Sequence, residues 1–412
     1  MNDTGAEPAA PLDGLLVLDL TEGVAGPNCT KQLADFGATV IKVERPGGDP
    51  ARALGPFPGE QIDLECSALF LHLNTNKAGI VIDPQHARGQ DLLRRLAARV
   101  DIVVESQRPG TLAGWGLSPA SLIAAKADLV VTSVTPFGQS GPYRDWEMTE
   151  IVAFAMGGPM NASGGADREP VKLAGHAVLM QSGATAAVAT LAARFHAEQY
   201  GTGQHVDVAT FETQNGSQDR RRYYLLSYAY SGMVTERAVG VGAATQIAGG
   251  RYSCADGGVI TTGRVWPDHI ERMVRVLDDP AVTAAWMAHD RSCMFDDAAT
   301  INAALARWAS QRPARAAMRE AQAGGWPVVV SNDPLSLLDD EHLLARGFWV
   351  QATHPRAGVL AYCGPPFRFE DGGWALARTA PTLGADTDAV LREFLGLHDD
   401  AIAALRADAV VA

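Results

Sequence analysis

Three basic residues stand out by position: Arg45 after the run Thr39 to Glu44 (TVIKVE), Lys77 closing the loop Asn74-Thr75-Asn76, and Arg108 after Asp101 to Glu105 (DIVVE), with Ser106 and Gln107 between. Each borders a short β-type run, so all three are expected at the C-terminal ends of sheet strands or in the loops that follow. Ligands of open α/β sheets bind at that edge, and cations gathered there suit a phosphorylated ligand. The familiar catalytic words are missing. There is no GxxxxGK[ST] phosphate loop, no GxSxG elbow and no HExxH zinc helix. Gly23-Val-Ala-Gly-Pro27 lacks the GxGxxG spacing of a dinucleotide site and reads as a turn entering a helix. The five cysteines are scattered, with no CxxC pair and no Cys/His cluster at zinc spacing, so no metal is expected and a reducing cytoplasm is the expected setting.

The elements that must position these residues follow one grammar. Gly14 to Leu20 (GLLVLDL) reads as a strand, a helical stretch runs through Leu33 to a stop at Gly37, and Thr39 to Val43 is the next strand. Strands over Gly79 to Ile82, Asp101 to Glu105, Asp128 to Val134 and Gln204 to Thr210 alternate with helices over Gly89 to Arg99, Ser118 to Lys126 and Ser182 to His196. That alternation predicts a mostly parallel, helix-covered sheet. From about Asp219 the texture changes to Arg220-Arg221-Arg222, Tyr223, Tyr224, the Gly-rich stretch Gly240 to Gly250 and a strand pair around Asp256-Gly257-Gly258. A smaller α+β domain is placed there. A helical run over Asp386 to Leu405 ends the chain.

Composition bounds the class. The 412 residues are 47% hydrophobic and 20% charged, ample for a large core. The net charge of -13 argues against a general nucleic-acid binder, and no apolar run approaches the length of a transmembrane helix. Neither nucleic acid nor membrane is expected as a partner. The Met1 to Pro11 leader lacks the layout of a signal peptide.

Longer words make the sequence recognisable: PLDGLLVLDLTEGVAGP (11–27), FGATVIKVERPGGDP (36–50), NTNKAGIVID (74–83), DIVVESQRPGTLAGWG (101–116), TPFGQSGP (135–142), GTGQHVDVATFET (201–213), HLLARGFW (342–349), GPPFRF (364–369) and APTLGADTDAVLREFLGL (380–397). In these the chain resembles the class III CoA-transferase (CaiB/BaiF) family, which includes formyl-CoA transferase and α-methylacyl-CoA racemase. The resemblance implies an α/β fold with a Rossmann-like large domain from 1–218 and 331–412, a smaller α+β domain over 219–330, and an interlocked dimer. It implies coenzyme A or acyl-CoA as substrate, with contacts at Val24, Ala25, Arg45, Asn74, Thr75, Asn76, Lys77, Ser106, Gln107 and Arg108. It also implies an aspartate nucleophile at the start of the Ala-rich helix.

That last expectation meets a gap. Counted without an insertion from Pro170 to Gly183, the nucleophile's position falls on Leu179, and Glu198 is the only carboxylate between Glu169 and Asp207. A leucine has no lone pair with which to attack a thioester. The position of the racemase histidine falls on Thr149, beside Glu150. His176 and Glu150 are the remaining candidates for acid–base work, with Gln181 and Ser182 near enough in sequence to offer hydrogen bonds. Gly114 and Glu147 stand where relatives such as formyl-CoA transferase carry an arginine and a lysine. Two functions are expected from this pattern. The first is the nucleophile-lacking subunit of a heteromeric CoA-transferase of the succinyl-CoA:aryl-succinate type, partnered by an aspartate-bearing paralogue. The alternative is an acyl-CoA lyase, dehydratase or isomerase without a covalent aspartyl intermediate.

Overall fold

Six short runs rich in Val and Ile form one sheet: β1 (Leu16–Leu20), β2 (Thr39–Glu44), β3 (Lys77–Val81), β4 (Ile102–Glu105), β5 (Val130–Thr135) and β6 (His205–Ala209). These come from a computed structural model that describes residues 10–216, 225–226, 228–234, 237, 250–262, 267–288 and 298–412. Arg220 to Tyr224 and the Gly-rich stretch, apart from its last residue Gly250, lie outside the described residues. The strand order is β3-β2-β1-β4-β5-β6 and every pairing is parallel. Helices cover both faces, which is why β4 and β5 are buried at every position and read as continuous apolar runs rather than alternating ones. One face packs Leu18, Ile41, Val103 and Val131 against Leu92, Leu96 and Leu391. The other packs Val17, Val40, Val104 and Val130 against Leu33, Ala186 and Ala193. Strand order reverses between β1 and β4, and a crevice opens at their C-terminal ends.

Two helices set the shape of that edge, Ala25–Asp35 and the long Ala177–Tyr200. They meet at their N-terminal ends. A Cβ on Gly183 would lie 2.4 Å from the Ala25 carbonyl oxygen, so only glycine allows this approach. The long helix starts at Ala177, not at Ser182 as the sequence suggests, for a reason given by the site. The C-terminal run is two helices, Thr387–Leu395 and Asp399–Ala407, not one. Gly396 separates them with a φ of 66°, a left-handed stop that propensity alone does not locate. Lys77 is also placed differently from expectation. It opens β3, paired with Val40, rather than lying at a strand's C-terminal end.

The chain divides into two compact units. The first holds Met1–Met160, Lys172–Val234 and Ala345–Ala412, so the C-terminal segment belongs with the large sheet. The Gly79 amide donates to Asp386 Oδ2 at 2.8 Å and Ile82 bridges to Val411. An antiparallel hairpin, β10 (Trp349–His354) and β11 (Gly358–Cys363), lies in the same unit. The second unit holds Asn161–Val171 and Thr235–Leu344. In it β7 (Arg251–Ser253), β8 (Val259–Thr262) and β9 (Val328–Val330) form an antiparallel sheet, with the turn at Asp256-Gly257 where the sequence suggests it. Trp286, Trp308 and Trp326 are buried in its core. No helix among the described residues is long and apolar enough to cross a membrane.

Candidate functional site

The loops after β1, β2 and β4 are stitched together at the switch point. The Glu22 amide donates to Ser106 Oγ at 2.8 Å, the Gly23 amide to Asp49 Oδ1 at 3.0 Å, and Gln107 Nε2 to the Leu20 carbonyl at 3.1 Å. Beside them is a cleft of about 280 Å³, lined among others by Glu22, Arg45, Asp83, Gln107, Leu93 and Trp115. Arg45 reaches across it to Glu22 at 2.6 Å. Arg108 follows directly and pairs with Glu147 from the loop after β5. The structure therefore brings Arg45, Ser106, Gln107 and Arg108 to one edge.

Asn74, Thr75 and Lys77 are buried beneath this edge rather than facing it. Lys77 Nζ donates to Asp19 Oδ2 at 3.0 Å, to Asn74 Oδ1 and to the Pro27 carbonyl. Burial would raise the Asp19 carboxyl, but Lys77, Lys42 and the hydroxyls of Thr21 and Thr30 overcome that and hold it at about 2. Burial also pushes the Lys77 ammonium down to about 8 against the pull of Asp19. Thr75 and Asn76 bond Asp35, and Asn76 also holds the backbone of Ala375, Ala377 and Arg378. Alongside, Lys42 donates to Asp49 at 2.7 Å and to the Thr21 carbonyl. These buried pairs fix the loop carrying Glu22 and Gly23. Asp49 and Glu22 are organising residues that the sequence reading missed; neither has a motif of its own.

The second half of the site is the start of the Ala177–Tyr200 helix. Val24 and Ala25 lie against it, because Asn28 on their helix donates to the Met180 carbonyl at 2.8 Å. Glu150, at the start of the short helix Glu150–Met156, turns its buried carboxylate onto the long helix's first turn. Its Oε1 accepts from the Val178 amide at 2.9 Å and its Oε2 from the Leu179 amide at 3.2 Å. A carboxylate there satisfies amides without intrahelical partners and complements the helix dipole. The helix can therefore begin at Ala177. Leu179 is partly buried in that first turn, and His176 is the N-cap residue, its Nδ1 buried without a hydrogen-bond partner. Ser182 Oγ is bonded to the Val178 carbonyl and to Thr213 Oγ1, while Gln181 Oε1 accepts from Gln214. Thr149 precedes Glu150 as a side chain without an acid–base role. Glu150 is the one carboxylate seated on this helix turn among the described residues, and both of its oxygens are engaged.

A further titratable group stands at the C-terminal end of β4. Glu105, Ser133 and Asp207 stand abreast on β4, β5 and β6. Glu105 is buried, accepts from the Gln107 amide at 2.7 Å, and is pushed up to about 7, mainly by burial. Among the described residues no group of His, Cys, Asp and Glu could hold a metal ion.

The site thus joins a cleft edged with guanidinium groups at a Rossmann-type switch point to the N-terminus of a small-residue helix. The sequence model of CoA-transferase family III matches residues 12–387. The chain belongs to CoA-transferase family III. It is 30% identical over 392 residues to the succinyl-CoA:(R)-benzylsuccinate CoA-transferase subunit BbsE of Thauera aromatica, covering 92% of each chain. It is 31% identical to the succinyl-CoA–D-citramalate CoA-transferase of Chloroflexus aurantiacus, covering 98% of this chain and 99% of the other. To the succinyl-CoA–L-malate CoA-transferase alpha subunit of Chloroflexus aurantiacus it is 29% identical, covering 99% and 94%. Among solved structures, a CAIB/BAIF family protein from Brucella suis superposes with a TM-score of 0.79 at 27% identity, covering 94% of this chain and all of the other. CoA-transferases of this family take CoA thioesters as substrates, and some of the relatives are named as subunits.

Proposed function

We propose that this family III chain is the subunit of a heteromeric CoA-transferase that does not carry the covalent step. The assembly would move CoA from a succinyl-CoA type donor to a carboxylic acid such as an aryl-succinate. The observation that carries this reading is Leu179 at the turn where the resemblance places the nucleophile, with Glu150 held by two backbone amides beside it. CoA transfer between carboxylates needs a carboxylate that attacks the thioester carbonyl, expels the CoA thiolate and then takes it back. A leucine supplies none of this. Glu150 has a backbone amide on each oxygen, and those two bonds stabilise its carboxylate and weaken it as a nucleophile. An aspartate-bearing paralogue would supply the attack. In this chain Arg45, Ser106, Gln107 and Arg108 would face the nucleotide end of a CoA thioester, and Val24 and Ala25 its thioester end. Asn74 and Lys77 would act from below through Asp19, and Thr75 and Asn76 by holding Asp35 at the far end of the Ala25–Asp35 helix. The names of the benzylsuccinate and malate relatives as subunits support a partnered assembly.

The test is to co-express this chain with its aspartate-bearing paralogue, add succinyl-CoA, and trap enzyme-bound acyl groups with hydroxylamine. Mass spectrometry is expected to find a hydroxamate on the paralogue's aspartate and none on this chain. A hydroxamate on Glu150 or any other carboxylate of this chain would overturn the proposal.

The second reading, proton transfer at the thioester's α-carbon, draws on one observation, the unpartnered buried Nδ1 of His176. An enzyme of that class would exchange the α-protons of acyl-CoA esters in deuterated water. Loss of that exchange in His176→Ala would be its signature.

A further inference from the structure

The arginines flanking the cleft already hold anions. Arg45 is paired with Glu22. Arg108 is paired with Glu147, each side chain 73% exposed. Arg144 lies over the same turn, its Nη2 4.0 Å from where a Cβ on Gly110 would be, and its Nε is 3.3 Å from Asp145. Asp83 lines the cleft as well. Four carboxylates and three guanidinium groups therefore line or adjoin this edge. The turn that carries Arg108 is fixed by the Thr111 amide on the Arg108 carbonyl at 3.0 Å and by Gly110 at a φ of 93°. The backbone that carries Arg108 is thus fixed, while its exposed guanidinium can exchange one anion for another. In the next helical turn Gly114 has nothing within 4 Å of its Cβ direction, so there is room for another cation that this sequence leaves unused.

Resting on the reading of this cleft as a CoA-thioester site, we propose that Arg108, exposed at the cleft's rim, receives the ligand's 3′-phosphate, its only phosphate monoester, and that Glu147 competes for it. The site would then draw little affinity from the 3′-phosphate and bind CoA and 3′-dephospho-CoA nearly equally. A free guanidinium gains a charge-assisted bond when a phosphate arrives. One already neutralised must first lose its carboxylate, which then stands close to the incoming dianion and repels it. An exposed ion pair is worth up to about 1 kcal/mol, so displacing it offsets about fivefold in Kd. The repulsion adds to this and is largest at low ionic strength.

Calorimetry of the full-length chain with CoA and with 3′-dephospho-CoA, at low and at physiological salt, tests this. The wild-type chain is expected to bind the two within about threefold of each other. Glu147→Gln, an exposed and nearly isosteric change, is expected to shift the ratio toward CoA by about fivefold or more at low salt. Glu22→Gln/Glu147→Gln is expected to shift it further by freeing Arg45. A wild-type preference for CoA of tenfold or more, or a ratio that neither variant moves, would overturn the role given to Glu147. Binding of neither compound to any of the three proteins is a different failure. It would overturn the CoA-thioester reading itself and this inference with it.

Discussion

At the residue scale, Glu105 shows how placement sets chemistry. It ends β4 beside Ser133 and Asp207, and burial holds its carboxyl at about 7 against an ordinary value of 4.5. Between those values the folded chain keeps a proton that the unfolded chain has lost, so stability falls as pH rises from about 4.5 to about 7 and then levels off. The difference corresponds to about 3 kcal/mol. Glu105→Gln removes the titration, and its melting temperature relative to wild type is expected to rise steadily across that window. Parallel profiles for the two proteins would show that Glu105 is not the group responsible. The sequence places Glu105 at a strand's end but says nothing of its neighbours, which come from two other strands. Leu179 is the opposite case. Under the proposed reading its type alone removes the nucleophile, and the fold puts it in the first turn of the Ala177–Tyr200 helix.

At the element scale, the start of the Ala177–Tyr200 helix depends on a residue 28 positions away from the amide that it accepts from. Local propensity therefore puts the start near Ser182, where the Ala-rich pattern begins, and misses the first turn that Glu150 holds. Replacing this carboxylate with the neutral amide in Glu150→Gln leaves one backbone amide facing an NH₂ group. The variant is expected to lose about 1–2 kcal/mol. Urea unfolding should show the loss, and hydrogen exchange should show it concentrated at the Val178 and Leu179 amides. Loss spread evenly along the helix would point to a global effect instead. Lys77 departs from expectation for a related reason. A lysine beside a strand reads as a surface cation until its partner Asp19, 58 residues away, takes it inside. The strands themselves were legible, because helices on both faces demand runs of apolar residues that no loop shares.

At the scale of the whole molecule, the parallel sheet, its switch point and the family were legible in the words that span the chain. The loop geometry of the site was not, since Glu22, Asp49 and Glu150 act through contacts that join distant segments. The large unit that results has a crevice, a closely packed pair of helix starts and, on the first turn of the longer helix, the carboxylate of Glu150 with a backbone amide on each oxygen. A chain of this kind fits the proposed role, completing a site rather than running the covalent step in isolation. The measurement that bears most directly on this is the rate of CoA transfer from succinyl-CoA to a panel of dicarboxylic acids. It should be made for this chain alone, for its aspartate-bearing paralogue alone, and for the two co-expressed. Activity is expected in the co-expressed assembly and not in this chain alone. Turnover by this chain alone at the rate of the assembly would contradict a nucleophile-lacking subunit.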